Sequence, residues 1–165
     1  MCQVSPSEWL EISLAEQICR LWQDQNCVFT AAVSTALNGA GEANGSGCTP
    51  RGWHQIRALI GQGQPLNTVF VGRRPTGEIF HAQMAKDYPE RDWILTRILW
   101  LSGLEIGRNR LGNVDTMRRY IYIHGCPDSA PMGQPLSHGC IRMHNQDLLT
   151  LFDQVKPGLK VLIHE

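Results

Sequence analysis

The chain has 165 residues, 42% hydrophobic and 18% charged, which suits one globular domain large enough to bury a core. Fifteen basic and fifteen acidic residues cancel, so nothing in the charge points to nucleic acid or an anionic membrane surface. No window approaches the roughly 20 apolar residues that a membrane-spanning helix needs.

The opening Met1-Cys2-Gln3-Val4-Ser5-Pro6-Ser7-Glu8 has no basic or apolar region of a secretory leader, and no apolar segment precedes Cys2 as in a lipoprotein. The expectation is a single domain over residues 1–165, in the cytoplasm. Sixteen glycines and nine prolines suggest a turn-rich, sheet-rich fold. Cysteines at 2, 19, 27, 48, 126 and 140 show no paired framework of a small secreted domain.

Along the chain, Trp9, Leu10, Ile12, Leu14, Ile18, Leu21 and Trp22 fit one amphipathic helix or two strands equally well. Asp24-Gln25-Asn26 reads as a hairpin turn into a strand from Cys27 to Val33. Residues 38–52 are dense in Gly, Asn, Ser and Pro and read as a surface loop. Trp53 to Ile60 and Thr68 to Val71 read as strands, broken by Gly61-Gln62-Gly63-Gln64-Pro65. Arg73-Arg74-Pro75-Thr76-Gly77 reads as a basic turn, residues 81–87 as one or two helical turns, and Asp92 to Leu101 as a long strand. Residues 103–116 form a loop carrying Arg108 and Arg110. Tyr120-Ile121-Tyr122-Ile123 is a strand ending at His124-Gly125. Asn145 is placed to cap a helix whose Leu148, Leu149, Leu151, Phe152 and Val155 form an apolar stripe. Pro157-Gly158 ends it, and Leu159 to Ile163 returns to the sheet.

The chemistry concentrates in Ser137-His138-Gly139-Cys140-Ile141-Arg142 with His124-Gly125 upstream. A thiol attacks only as thiolate and needs a base or cation beside it. Gly139 leaves room for a substrate carbonyl to approach, and the amides of Gly139 and Cys140 are candidate oxyanion donors. Pattern alone does not rank His124 against His138. Ser137 and Arg142 read as loop-positioning residues. Tyr122 shares the His124 face if the strand alternates regularly. A rival reading gives His124, Cys126, His138 and Cys140 to a zinc ion, against which their one-residue spacings count.

These residues resemble the L,D-transpeptidase catalytic domain (YkuD-like) family, whose signature is a His, a loop, then Ser/Thr-His-Gly-Cys, an apolar residue and Arg or Asn. Twelve residues separate His124 from Ser137, shorter than the family pattern. Val33-Ser34-Thr35-Ala36, Cys48-Thr49-Pro50-Arg51-Gly52 and Val155-Lys156-Pro157-Gly158 resemble further family segments; residues 61–119 match less clearly. The resemblance implies a mainly β fold, a β-sandwich or mixed sheets with one C-terminal-region helix packed on the sheet, and favours strands over residues 9–22. It implies Cys140 as nucleophile, His124 as base and His138 lining the site, with no metal or cofactor.

It also implies action on peptidoglycan stem tetrapeptides at the bond between a diamino acid and D-Ala, through a thioester that carbapenems would trap. A cytoplasmic enzyme would use water as acceptor, as an L,D-carboxypeptidase in peptidoglycan recycling. The alternatives are a cross-linking L,D-transpeptidase and a catalytically silent muropeptide-binding module.

Overall fold

The computed structural model describes residues 6–165; the expectations for Met1 to Ser5, Cys2 included, lie outside the described residues. The strands are β1 (Glu8–Ser13), β2 (Ile18–Gln23), β3 (Asn26–Ser34), β4 (Gly52–Ile60), β5 (Thr68–Val71), β6 (Arg74–Ile79), β7 (Ile94–Gly103), β8 (Tyr122–Gly125), β9 (Ile141–Met143) and β10 (Lys160–His164). The helices are α1 (Ala82–Asp87) and α2 (Asn145–Phe152).

The strands form one mixed sheet in the order β4-β10-β1-β2-β3-β9-β8-β7-β5-β6. Because β4 pairs with β7 as well as with β10, eight strands close into a ring. The hairpin β5–β6 extends from the N-terminal end of β7. The pairs β1–β10 and β8–β9 are parallel; the rest are antiparallel.

Alternation decides which side chains face inward. Leu10 and Ile12, Cys19 and Leu21, Ala31 and Val33, Leu99 and Leu101, Ile123, Ile141 and Met143, Val161 and Ile163 share one core cluster. Leu148, Leu151 and Phe152 of α2 join it, so the C-terminal helix packs on the sheet as expected. Each fully buried Leu or Ile contributes about 1.5–3 kcal/mol, which is why the two-strand reading of residues 9–22 wins over one helix. As strands, those residues send Leu10, Ile12, Cys19 and Leu21 inward and place Trp9 and Trp22 as an exterior stacked pair, 6.1 Å between centroids.

Three local readings need correction. The basic turn is confined to Gly72 and Arg73, both at positive φ, and Arg74 to Ile79 returns as β6. Pro75 is tolerated because β6 is the sheet's edge strand. The strand expected over Tyr120–Ile123 starts later, at Tyr122, and includes His124 and Gly125. Asn145 does not cap α2: the N-cap is His144, and the Asn145 side chain is buried elsewhere.

His54 on β4 is fully buried, its Nδ1–H on the Gly52 carbonyl (2.9 Å) and its Nε2 accepting from Thr116 Oγ1 (3.0 Å). Burial lowers its pKa to about 4. The unfolded chain, with a histidine pKa near 6.5, therefore takes up the proton first, and stability is lost as pH falls from about 6.5 towards 4. The loss amounts to about 3 kcal/mol at the low end. Urea unfolding at pH 7.5, 5.5 and 4.5 checks this. His54→Gln is expected to be less stable at pH 7.5 and to show a shallower decline with acid.

Candidate active site

The site stands where β8 and β9 run parallel, with Ile123 opposite Ile141, His124 opposite Arg142 and Gly125 opposite Met143. Ile123, Ile141 and Met143 point into the main core. Tyr122 and His124 on β8, and Cys140 and Arg142 beside them, therefore share the opposite face. His124 and Cys140 are diagonal neighbours there, Cys140 packing against Tyr122 two residues before the histidine on β8.

His124 is 1% exposed, and its Nδ1 lies 2.7 Å from its neighbour Gly125's carbonyl oxygen. A carbonyl only accepts, so Nδ1 carries the proton and Nε2 keeps its lone pair. Burial lowers the histidine's pKa, so the ring is neutral near pH 7. The Cys140 thiol donates to the Tyr120 carbonyl and accepts from the Tyr122 amide, each at 3.4 Å. Burial pushes its pKa up to about 12. The resting pair is thus thiol and imidazole, not thiolate and imidazolium.

Several features fix this geometry. Between Leu95 and Ile98, β7 carries an irregularity opposite His124 and Gly125, with Thr96 at φ +74°. Positive φ is unfavourable for a β-branched residue, and Asn145 helps hold it. Asn145 Oδ1 accepts from Thr96 Oγ1 (2.7 Å), while its amide donates to the Cys126 carbonyl (2.9 Å). A side chain at Gly125 would strike Asn145 Oδ1 and the Leu95 carbonyl. Gly139 sits at φ +133°, where any Cβ would press on the Cys48 carbonyl at 3.3 Å.

The 38–49 loop is fastened over the cysteine loop. Thr49 Oγ1 donates to the Gly139 carbonyl (2.9 Å) and accepts from the Ala36 amide (3.0 Å). Arg119 donates to the carbonyls of Gly41, Glu42 and Cys48 at 3.2, 3.2 and 2.6 Å. Ser137 is buried and donates to the Cys140 carbonyl (2.5 Å). It also accepts the Gly139 amide (3.2 Å), so that amide is tied within the loop and does not present the open oxyanion donor expected of it.

Arg142 pairs with Asp92 at 3.3 Å, a carboxylate partner as expected for a loop-ordering residue. Tyr122 packs with Cys140 in a second apolar cluster with Phe70, Ile98 and Trp100. His138 is exposed and is not drawn to the His124 face by a hydrogen bond among the described residues. Cys126 is buried, its thiol on the Met143 carbonyl (3.6 Å). Among the described residues no three His, Cys, Asp or Glu side chains converge to hold a metal ion.

The sequence offered Arg73 only as one of six arginines, with Arg74, Arg108, Arg110, Arg118 and Arg119, that could meet a substrate carboxylate. Arg73 donates to Tyr122 Oη (3.1 Å) and lies over the rings of Trp100 and Tyr120 at 4.6 and 4.8 Å. It comes from the β5–β6 turn, so only the hairpin's placement brings it to the site. Arg119 was visible only as one of several arginines.

A buried, tautomer-fixed histidine beside a half-buried thiol on a mixed sheet has the form of a cysteine-nucleophile enzyme. A family model of the L,D-transpeptidase catalytic domain, YkuD, matches residues 7–163, and the chain belongs to that family. It is 40% identical over 47 residues to the L,D-transpeptidase YkuD of Bacillus subtilis strain 168, covering 28% of this chain and 29% of that protein. The fold is similar to L,D-transpeptidase 3 of Mycobacterium tuberculosis (TM-score 0.60, 14% identity, 98% of this chain and 62% of that one). It is also similar to the L,D-transpeptidase of Xylanimonas cellulosilytica (TM-score 0.57, 21% identity, 98% and 62%). The match spans less than a third of the curated relative's length and the chain covers about three fifths of these solved structures. The M. tuberculosis protein has also been solved with a faropenem-derived adduct.

The raised Cys140 pKa sets an expectation for alkylation. At pH 7 iodoacetamide should modify Cys140 more slowly than exposed Cys27, with the Cys140 rate still climbing above pH 9. Peptide-resolved mass spectrometry over pH 6–10 measures both; a Cys140 rate already at its plateau by pH 7 would contradict the neutral pair.

Proposed function

We propose that this chain is an L,D-carboxypeptidase that releases D-Ala from peptidoglycan stem tetrapeptides through a thioester on Cys140. The observation that carries the reading is the shared face of His124 and Cys140, with His124 Nδ1 already committed to Gly125. The neutral pair means that substrate binding must turn the thiol proton from Tyr120 O towards His124 Nε2.

In the first half-reaction Sγ bonds to the carbonyl carbon of the third residue as its proton passes to Nε2. The Cys140 amide donates to the oxyanion. The carbon–nitrogen bond then breaks, and the imidazolium gives its proton to the D-Ala amine. In the second, His124 takes a proton from water, hydroxide adds to the thioester, and the tripeptide leaves with its new carboxylate as the thiol is restored. An amine in place of water would give the cross-linking transpeptidase reaction with the same groups. Without a concentrated acceptor, bulk water is the default. All five described cysteines are free, in keeping with a reducing compartment and with tetrapeptides that return to the cytoplasm.

The purified protein with tetrapeptide and no added amine should release D-Ala, and Cys140→Ala should abolish the release. His124→Gln should lower kcat about 10²–10⁴-fold. Release that requires an added acceptor amine would favour the transpeptidase. Imipenem should add to wild-type protein and not to Cys140→Ala by intact mass; an unmodified wild-type protein would end the acyl-enzyme reading.

A further inference from the structure

We propose that a cationic pocket on the same outer face of the sheet, formed by Arg57, Arg110 and Arg118 with Gln55 and Ser102, binds a carboxylate on the retained, acyl portion of the substrate. The inference rests on the stem-peptide reading above and adds a subsite to it. The pocket has a volume of about 180 Å³, space for a carboxylate and its adjoining methylenes.

The topology joins this pocket to the reactive cysteine. Ser102 pairs with Gln55 across β7 and β4, and both lie outside the core that takes Ile56 and Leu101. Two residues back along β7, Trp100 packs against Tyr122 at 6.4 Å and shares a cluster with Cys140. Arg57 lies over the same Trp100 ring, 5.3 Å from its centroid. The indole N–H of Trp100 donates to the carbonyl of Met117, another pocket residue. From strand spacing and rise, pocket and Sγ are about 12–15 Å apart. An extended three-residue acyl portion spans about 10–11 Å, and Arg57, whose guanidinium lies over Trp100, reaches back towards the cysteine across the remainder. The leaving D-Ala keeps its carboxylate within one residue of the scissile carbonyl and falls short of the pocket, whereas the acyl portion runs most of the distance.

Among the described residues Arg57, Arg110 and Arg118 are free of salt bridges, although Asp115 feels the charge of Arg118. By contrast, Arg108 pairs with Glu105 and Arg142 with Asp92. Arg119 is spent on the 41–48 carbonyls. The one carboxylate lining the pocket, Asp115, already accepts the backbone amides of Leu111 (2.7 Å) and Arg118 (2.9 Å). The Ser102 hydroxyl is buried with no hydrogen-bond partner among the described residues. A buried hydroxyl is costly unless something supplies an acceptor, and a ligand carboxylate would do so.

Calorimetric titration of catalytically blocked Cys140→Ala protein with the tripeptide product tests the pocket, because the tripeptide keeps the acyl portion. Adding Arg57→Gln and Arg118→Gln should weaken binding about tenfold or more, and should not alter binding of a tripeptide whose carboxylates are amidated. Ser102→Ala should weaken tripeptide binding severalfold while leaving the free protein's Tm unchanged or higher. Equal affinities with and without the arginines, or no tripeptide binding at all, would overturn the pocket. So would Ser102→Ala that lowers Tm and leaves affinity intact. Imipenem addition to the wild-type cysteine separates the two ideas. Arginine-dependent binding without acylation would remove the reaction and keep the anion pocket; acylation with arginine-independent binding would do the reverse.

Discussion

Strands β8 and β9 meet over only three residue pairs, yet their parallel register arranges everything at the candidate site. Ile123, Ile141 and Met143 are buried in the main cluster, and that burial leaves His124 and Cys140 no choice but the other face. A slip of one residue in either strand would turn a core isoleucine outward and carry one of the reacting groups inward, so the apolar contacts police the chemistry. The closed ring of strands adds to this, because β8 cannot shift without disturbing β7, which is held in turn by β4.

The polar groups around this pairing are held by fixed partners and have little freedom to relax. Asn145 links Thr96 of β7 to the Cys126 carbonyl just after β8, and Thr49 joins the Ala36 amide to the Gly139 carbonyl. Each buried donor or acceptor left unpaired would cost about 1–3 kcal/mol, so these bridges act against any loosening of the loop. Burial also keeps both His124 and Cys140 neutral at rest. In the proposed reaction such a site would hold its nucleophile in reserve, with the ion pair forming when a bound substrate changes the local solvation.

Family membership agrees with what the local pattern already implied, since Ser137-His138-Gly139-Cys140 and His124 lie inside the matched residues 7–163. The structure distributes their tasks unevenly. Ser137 braces the loop from both sides, His138 stands exposed, and the Gly139 amide is taken up by Ser137. Asn145 looked like a helix cap because Asn before an apolar helical stripe commonly is one; burial against Thr96 outweighed that local preference. Pro75 read as a turn residue because a proline in a strand forfeits one ladder bond, a loss that an edge strand does not feel.

Period-two alternation, the Gly- and Pro-rich breaks and the His124 and Ser137–Arg142 motifs gave, from the sequence alone, most of the strands, a helix near residues 145–152 and the candidate nucleophile, while the strands over residues 9–22 and the choice of His124 over His138 came from the family resemblance. Those signals are local: they depend on side-chain spacing of a few residues and on the backbone freedom of single glycines. Closure of the sheet through β4 and β7, the approach of Arg73 over Trp100, the fastening of residues 41–48 by Arg119 and the gathering of Arg57, Arg110 and Arg118 were decided by the tertiary structure. Each joins segments tens of residues apart, and no short-range pattern encodes which exposed arginine will find a carboxylate and which will be left facing a pocket.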